Sequence, residues 1–379
     1  MPLTANSRFG STPLRHGATS TRVRASRPVS AIAERDPAGA RRSATAGETD
    51  PGRIPPDSPD AWSALRLATR LELLRNTLQP TLHVPLAVEG LNLFAKLEYV
   101  NPVGSIKDRS AYWILKRAAE RGEICEKTTV IESSSGNFAT ALAAFSRLVG
   151  LRFIPVIDPN ISGTYESFLR RTCATVVKVE ERDDSGGFLK TRLQMVKHLC
   201  STMPNAYWTN QYENLDAVEA HYELTATEIC ADFDSLDYVF ISVSTAGTIA
   251  GVSRRLKERY PKVRVIAVDS EGSVIFGGAP RTRHIPGIGS SIVPPLLSHA
   301  RIDDVVLIPE RETVQACREL LTNHGLFVGG SSGTAFAAVK RLAAKMTGSR
   351  RPTVLFLCAD RGTPYVETVF DPKWAARLE

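Results

Sequence analysis

No stretch of the 379 residues stays apolar for the length needed to cross a bilayer, so no membrane anchor is expected. Six cysteines, at 125, 173, 200, 230, 317 and 358, form neither a C-x-x-C pair nor a zinc-ligand spacing. Their pattern predicts reduced, buried thiols and a cytoplasmic protein. The seven histidines include no H-x-x-x-H pair, so no metal site is expected. A Walker A loop is missing too. The first 33 residues contain no Asp or Glu, and residues 1–60 have few large apolar side chains. Such an Arg/Ser/Pro-rich segment cannot bury enough surface to offset its ordering entropy, and a disordered tail is expected over 1–60. The net charge of +7 is spread along the chain without a zinc-finger or aromatic RNA-binding signature. It is read mainly as a contribution to solubility, with attraction for small anionic substrates second, and no nucleic-acid partner is expected.

What is present begins near residue 61. "AWSALRLATRLELLRNT" has helical spacing, and "LNLFAKLEY" alternates as a strand does. Apolar strands then alternate with helices: "TTVIES", "FATALAAFSRLVG", "RFIPVIDP", "SGTYESFLRRTCA", "TVVKVEE", "DYVFISVS", "GTIAGVSRRLKERYP", "VRVIAVDS", "DDVVLIPE", "ETVQACRELLTNHG", "SGTAFAAVKRLAAKM" and "TVLFLCAD". In "SGTYESFLRRTCA" the spacing puts Tyr165, Phe168, Leu169 and Cys173 on one face. Strands apolar almost throughout, alternating with helices, predict an α/β fold of open, mostly parallel sheets covered on both faces. Ligands then collect at the carboxyl ends of the strands.

Three Ser/Gly-rich turns fall where a strand gives way to a helix: "ESSSGN" (132–137), "STAGT" (244–248) and "GGSSGT" (329–334). A helix N-terminus offers unpaired N–H groups and partial positive charge, so it binds anions. Serine N-caps with glycines easing the bend would explain any one turn alone. Beside them, "NPVGSIKDR" (101–109) sets Lys107 at the mouth of a helix. There its ammonium form is disfavoured by the dipole and by desolvation. An amine of lowered pKa is what bonding to an aldehyde requires. A phosphate cradle and an activated lysine together point to pyridoxal 5'-phosphate.

The four stretches in this order resemble the N-P-x-G-S-x-K-D-R, T-S-G-N, G-T-G-G-T and G-x-S-S-G motifs of the cysteine synthase family of pyridoxal-phosphate enzymes. That resemblance runs from about residue 70 to 375. It implies fold type II, the tryptophan synthase β-like architecture of two open sheets. It implies a larger cofactor-binding domain over 61–108 and 213–379, and a smaller mobile clamp over 109–212. Lys107 is then the lysine that bonds the cofactor and moves the α-proton. Asn137 faces the cofactor's 3'-oxygen, and Ser331 its pyridine nitrogen. Ser244, Thr245, Ala246, Gly247 and Thr248 form the phosphate loop. Ser134, Ser135, Gly136 and Gln211 clamp the amino-acid carboxylate. The implied reaction is β-replacement in a homodimer.

Further stretches, "VIDPNISGTYESF", "GGFLKTR", "AYWTNQYEN", "VDSEGSVIFGG" and "PGIGSSIVP", resemble the 2,3-diaminopropionate-forming branch of that family. This implies O-phospho-L-serine as first substrate and L-glutamate as nucleophile. The product would pass to an oxidative enzyme serving siderophore or peptide-antibiotic synthesis. Arg192 is the candidate for a substrate carboxylate or phosphate, and Tyr212 for a hydrogen bond at the clamp. Each has an alternative, a solvated helix face for Arg192 and packing for Tyr212. Ser244 stands where cysteine synthase has glycine, and Thr363 and Pro364 stand where the branch tends to carry a basic residue. The competing reading is a cysteine synthase joining O-acetylserine or phosphoserine to sulfide.

Overall fold

A computed structural model describes residues 59–183, 186–346 and 350–378. The tail expected over 1–60 lies, apart from its last two residues, outside the described residues. In chain order the elements that matter are α1 (Pro59–Arg75), β1 (His83–Leu86), β2 (Asn92–Leu97), α2 (Lys107–Glu120), β3 (Thr129–Ser133), α3 (Asn137–Val149), β4 (Arg152–Ile157) and α4 (Gly163–Thr172). Then come β5 (Val177–Lys178), α5 (Leu189–Thr202), β6 (Ala206–Trp208), α6 (Asp216–Ala220), a π-helical turn (His221–Thr225) and α7 (Ala226–Asp232). The remainder is β7 (Tyr238–Ser242), α8 (Gly247–Arg259), β8 (Arg264–Ser270), β9 (Asp304–Ile308), α9 (Glu310–His324), α10 (Gly330–Leu342) and β10 (Thr353–Cys358).

The strands form two sheets. One has six strands in the order β1-β2-β10-β7-β8-β9, and the other four in the order β5-β4-β3-β6. Among the described residues only β1 runs antiparallel to its neighbour. Pro85 is tolerated there because β1 is an edge and one face of its backbone needs no donor. Every residue of β3 is buried, as are all but the first of β4 and β8. That explains why these strands read as unbroken apolar runs.

Two expectations change. "TVVKVEE" supplies only the two-residue strand β5. On α4 only Leu169 is fully buried; Phe168 is exposed. The four-residue helical repeat identifies a face but not how far the neighbouring layer covers it.

Four side chains make a buried ion cluster beneath α2. Arg109 donates through Nε to Glu98 Oε2 at 2.6 Å and through Nη1 to Glu228 Oε1 at 2.5 Å. Lys96 Nζ reaches Glu228 Oε2 at 2.9 Å, and the Thr81 hydroxyl donates to Glu98 at 2.7 Å. Arg109 thereby fixes the first turn of α2, two residues after Lys107. Asp108 folds back, accepting the Val103 N–H at 2.6 Å. It closes the turn in which Gly104 adopts φ 106°.

Helix α8 lies hard against α6 and the π turn. A Cβ on Gly251 would fall 2.3 Å from the Val218 carbonyl oxygen and 2.7 Å from the Tyr222 nitrogen, both backbone atoms. Gly251→Ala therefore pushes α8 off its seat. The expected loss is roughly 1–3 kcal/mol in denaturant unfolding, with weaker binding of phosphate-bearing ligands at the helix mouth.

Candidate active site

The carboxyl ends of the strands open into one cavity of ≈ 520 Å³. Lys107, Ser134, Ser135, Gly136, Asn137, Arg192, Gln211, Tyr212, Ser244, Thr245, Ala246, Thr248 and Ser331 all line it. Gly247, the remaining expected member, is buried behind the loop, where its Cβ position is 3.2 Å from Ala217 Cβ.

Lys107 is the first residue of α2, and Ser105 Oγ accepts its backbone N–H at 3.2 Å. Its amine makes no hydrogen bond or ion pair among the described residues. Burial lowers its pKa to about 8, partly opposed by the nearby Asp360 carboxylate. Desolvation thus accounts for the lowered amine.

The Asn137 amide is oriented by its neighbours. Nδ2 donates to Asp360 Oδ2 at 2.7 Å, while the Tyr165 hydroxyl donates to Oδ1. Tyr365 also donates to Asp360 Oδ2, at 2.6 Å. Asp360 Oδ1 is buried without a partner, turned toward Gly329, whose Cβ position lies 2.1 Å away. Burial raises the Asp360 pKa. The motifs gave no site role to Asp360, Tyr165 or Tyr365. The one available signal for Asp360 was its place just beyond an apolar strand, "TVLFLCAD".

The loop before α8 carries Ala246 in the left-handed region, φ 67°. For a residue with a Cβ this costs about 1 kcal/mol. It turns the first N–H groups of α8 toward the cavity; the first capped amide is Ala250, bonding Ala246 O at 2.9 Å. The Thr248 hydroxyl lies 3.2 Å from His221 Nε2, and His221 Nδ1 lies 3.0 Å from the Thr225 hydroxyl. Burial, reinforced by the charge of Lys107, pushes His221 down to about 3, so this ring is neutral. Ser244 donates to the Gly289 carbonyl at 3.1 Å, satisfying its hydroxyl while it lines the cavity. Ser331 is the second residue of α10, and its hydroxyl has no protein partner among the described residues.

At the start of α3 the serine hydroxyls are already engaged. Ser134 Oγ accepts the Ala139 N–H at 3.2 Å, and Ser135 donates to Asp158 Oδ2 at 3.1 Å. The backbone N–H groups of the helix mouth remain there as open donors. Arg192 donates to Ser135 Oγ at 3.2 Å and sits 3.1 Å from Asp158 Oδ2. It belongs to the cavity wall, with 13% of its side chain exposed, so the solvated-face alternative does not hold. Gln211 Nε2 donates to the Ser133 carbonyl at 3.2 Å. Buried Glu132, raised to about 7 by desolvation, accepts the Gln211 N–H at 3.2 Å and the Thr209 hydroxyl at 2.6 Å. Tyr212 lines the wall, and burial raises its phenol.

An unpaired amine, an oriented amide, an unclaimed hydroxyl and an open helix N-terminus share this cavity. They suit the aldehyde, ring oxygen, ring nitrogen and phosphate of pyridoxal phosphate in turn. Residues 75–360 match the family model described as pyridoxal-phosphate dependent enzyme. The chain belongs to that family. Two curated relatives, from Ralstonia nicotianae and Cupriavidus metallidurans, are each 44% identical to it over 76% of this chain and 84% of their own length. Both are named N-(2-amino-2-carboxyethyl)-L-glutamate synthase. Among solved structures, an O-acetylserine-dependent cystathionine β-synthase from Helicobacter pylori superposes with TM-score 0.73 at 31% identity, over 78% of this chain and 97% of that one. An O-ureido-L-serine synthase gives 0.70 at 28%, over 78% and 94%. The expected fold type II architecture and the cofactor assignment hold for this enzyme.

Proposed function

We propose that this enzyme replaces the phosphate of O-phospho-L-serine with the amine of L-glutamate, giving N-(2-amino-2-carboxyethyl)-L-glutamate. The carrying observation is the 44% identity to two synthases of that name across most of both chains. Bound pyridoxal phosphate supplies the electron sink that lets the α-proton and the β-substituent leave. The chain's own residues do the rest. Lys107, lowered to about 8, takes the α-proton and returns it. The helix mouth at Ser134, Ser135 and Gly136, steadied by Gln211, holds the α-carboxylate. Arg192 offers its guanidinium to the phosphate or to a glutamate carboxylate. Tyr212 supplies a hydroxyl beside it. Thr248, braced by neutral His221, and the α8 amides hold the cofactor phosphate, with Ser244, Thr245, Ala246 and Gly247 shaping the loop. Asn137 and Ser331 hold the ring.

The segment around the four-stranded sheet, residues 109–212, acts in this reading as a clamp that closes on the substrate and excludes water. The active form is a homodimer in the cytoplasm. An oxidative enzyme then cleaves the adduct to 2,3-diaminopropionate for a siderophore or peptide antibiotic. No described helix is long and apolar enough to cross a membrane.

Holoenzyme given O-phospho-L-serine should release inorganic phosphate over many turnovers only when glutamate is supplied. Faster turnover of O-acetylserine with sulfide would instead restore the cysteine synthase reading. Arg192→Ala should raise KM for the anionic substrates about tenfold or more with a smaller change in kcat, as loss of a charge-assisted contact predicts.

A further inference from the structure

His284 stands in the cavity wall outside both the cofactor cradle and the carboxylate clamp, with 51% of its side chain exposed. Its Nδ1 lies 2.9 Å from Glu310 Oε2. Glu310 opens α9 and is itself held, Oε1 accepting the backbone N–H groups of His284 and Ile285, each at 2.7 Å. Arg283 clasps the same loop by donating to the Ile288 carbonyl at 2.9 Å. A carboxylate at Nδ1 fixes the proton there and leaves the Nε2 lone pair free. No described residue bonds Nε2.

The amine nucleophile makes a demand that sulfide would not. Near neutral pH it arrives as an ammonium, without a lone pair. Lys107 is occupied with the α-proton. Asp158 is committed to Arg192 and Ser135. Asp360 Oδ2 takes two donors, and Oδ1 faces Gly329. We propose that His284 is the general base that takes a proton from the ammonium of the second substrate, with Glu310 as its positioning residue. This rests on the amine being the nucleophile. One ammonium N–H bond breaks and its electron pair forms the N–C bond to the β-carbon. The proton goes to Nε2 and leaves by the exposed face of the ring, to be taken up by the released phosphate. Nothing is oxidised or reduced. Glu310, from α9, is the charged group bonded to this ring, and Arg283 precedes it on the same loop within the influence of Asp269 and Glu310. Lys107, Arg192, Asp158, Asp360, Tyr165, Tyr212 and Tyr365 line the same cavity.

His284→Gln, at a half-exposed position, should leave the fold and the single-turnover release of phosphate from O-phospho-L-serine at wild-type values. Addition of glutamate should fall about 100-fold near neutral pH. It should recover as pH rises and free amine accumulates. Glu310→Gln should slow the same half-reaction by less. Independently of turnover, 15N spectra of the cofactor-free protein should show His284 protonated at Nδ1, and a mixture of tautomers in Glu310→Gln. An unchanged glutamate rate, an equal loss in phosphate release, a loss that pH does not restore, or an Nε2-protonated ring each overturns the proposal. Failure of the wild type to join glutamate at all would refute the functional reading instead, whatever the variants do.

Discussion

Lys107→Ala should lower coupling of phosphoserine to glutamate by about 10⁴-fold or more and remove the visible absorption band of the bound cofactor. The loss is large because one amine both bonds the cofactor and carries the α-proton. The fold should survive. The Lys107 amine makes no bond among the described residues, and removing it relieves a desolvated charge. In the cofactor-free protein, denaturant midpoints should therefore stay at or slightly above the wild-type value, while the holoenzyme loses the stabilisation that its bonded cofactor gives. A variant that keeps the visible band would place the reactive amine elsewhere.

Glu98→Ala should have the largest effect on stability, roughly 3–5 kcal/mol in denaturant unfolding. Glu98 is fully buried and takes Arg109, Thr81 and Asn101 as donors. Removing it leaves much of the Arg109 guanidinium uncompensated in the core. The same cluster gives an acid-side prediction. Beside Arg109 and Lys96, and against the cost of burial, Glu98 is held at about 2, below its ordinary 4.5. A carboxyl lowered on folding contributes stability that is fully present above 4.5 and lost as pH falls toward 2. Asp108 and Glu132 carry the opposite sign. Burial raises both to about 7, so their contribution is lost as pH climbs from the ordinary carboxyl range through 7. Glu98→Gln should flatten the acid limb and leave the neutral limb in place.

The strand-turn-helix rhythm was legible because both periodicities lie within single segments of chain. Lys107, Asn137 and the loop 244–248 could be picked out because each sits in a short turn whose composition implies its chemistry. The groups that orient them were not legible in the same way. Asp360 meets Asn137 across 223 positions, and His221 meets Thr248 across 27. No local pattern encodes such meetings. In "KDR" only the lysine has a chemistry legible from the motif. The fold gives its three residues three destinations: the cavity, the turn at Val103 and the buried ion cluster. An exposed helix face stood as the alternative for Arg192 because spacing does not reveal that Asp158 and Ser135 wait opposite.

The most direct test supplies the holoenzyme with O-phospho-L-serine and amine-15N-labelled glutamate and reads the products by mass. One new amino acid is expected, in which the labelled nitrogen joins the glutamate carbons to the serine-derived three-carbon unit, formed one for one with phosphate. Phosphate release without incorporation of label, or cysteine formed from added sulfide while glutamate stays intact, would contradict it.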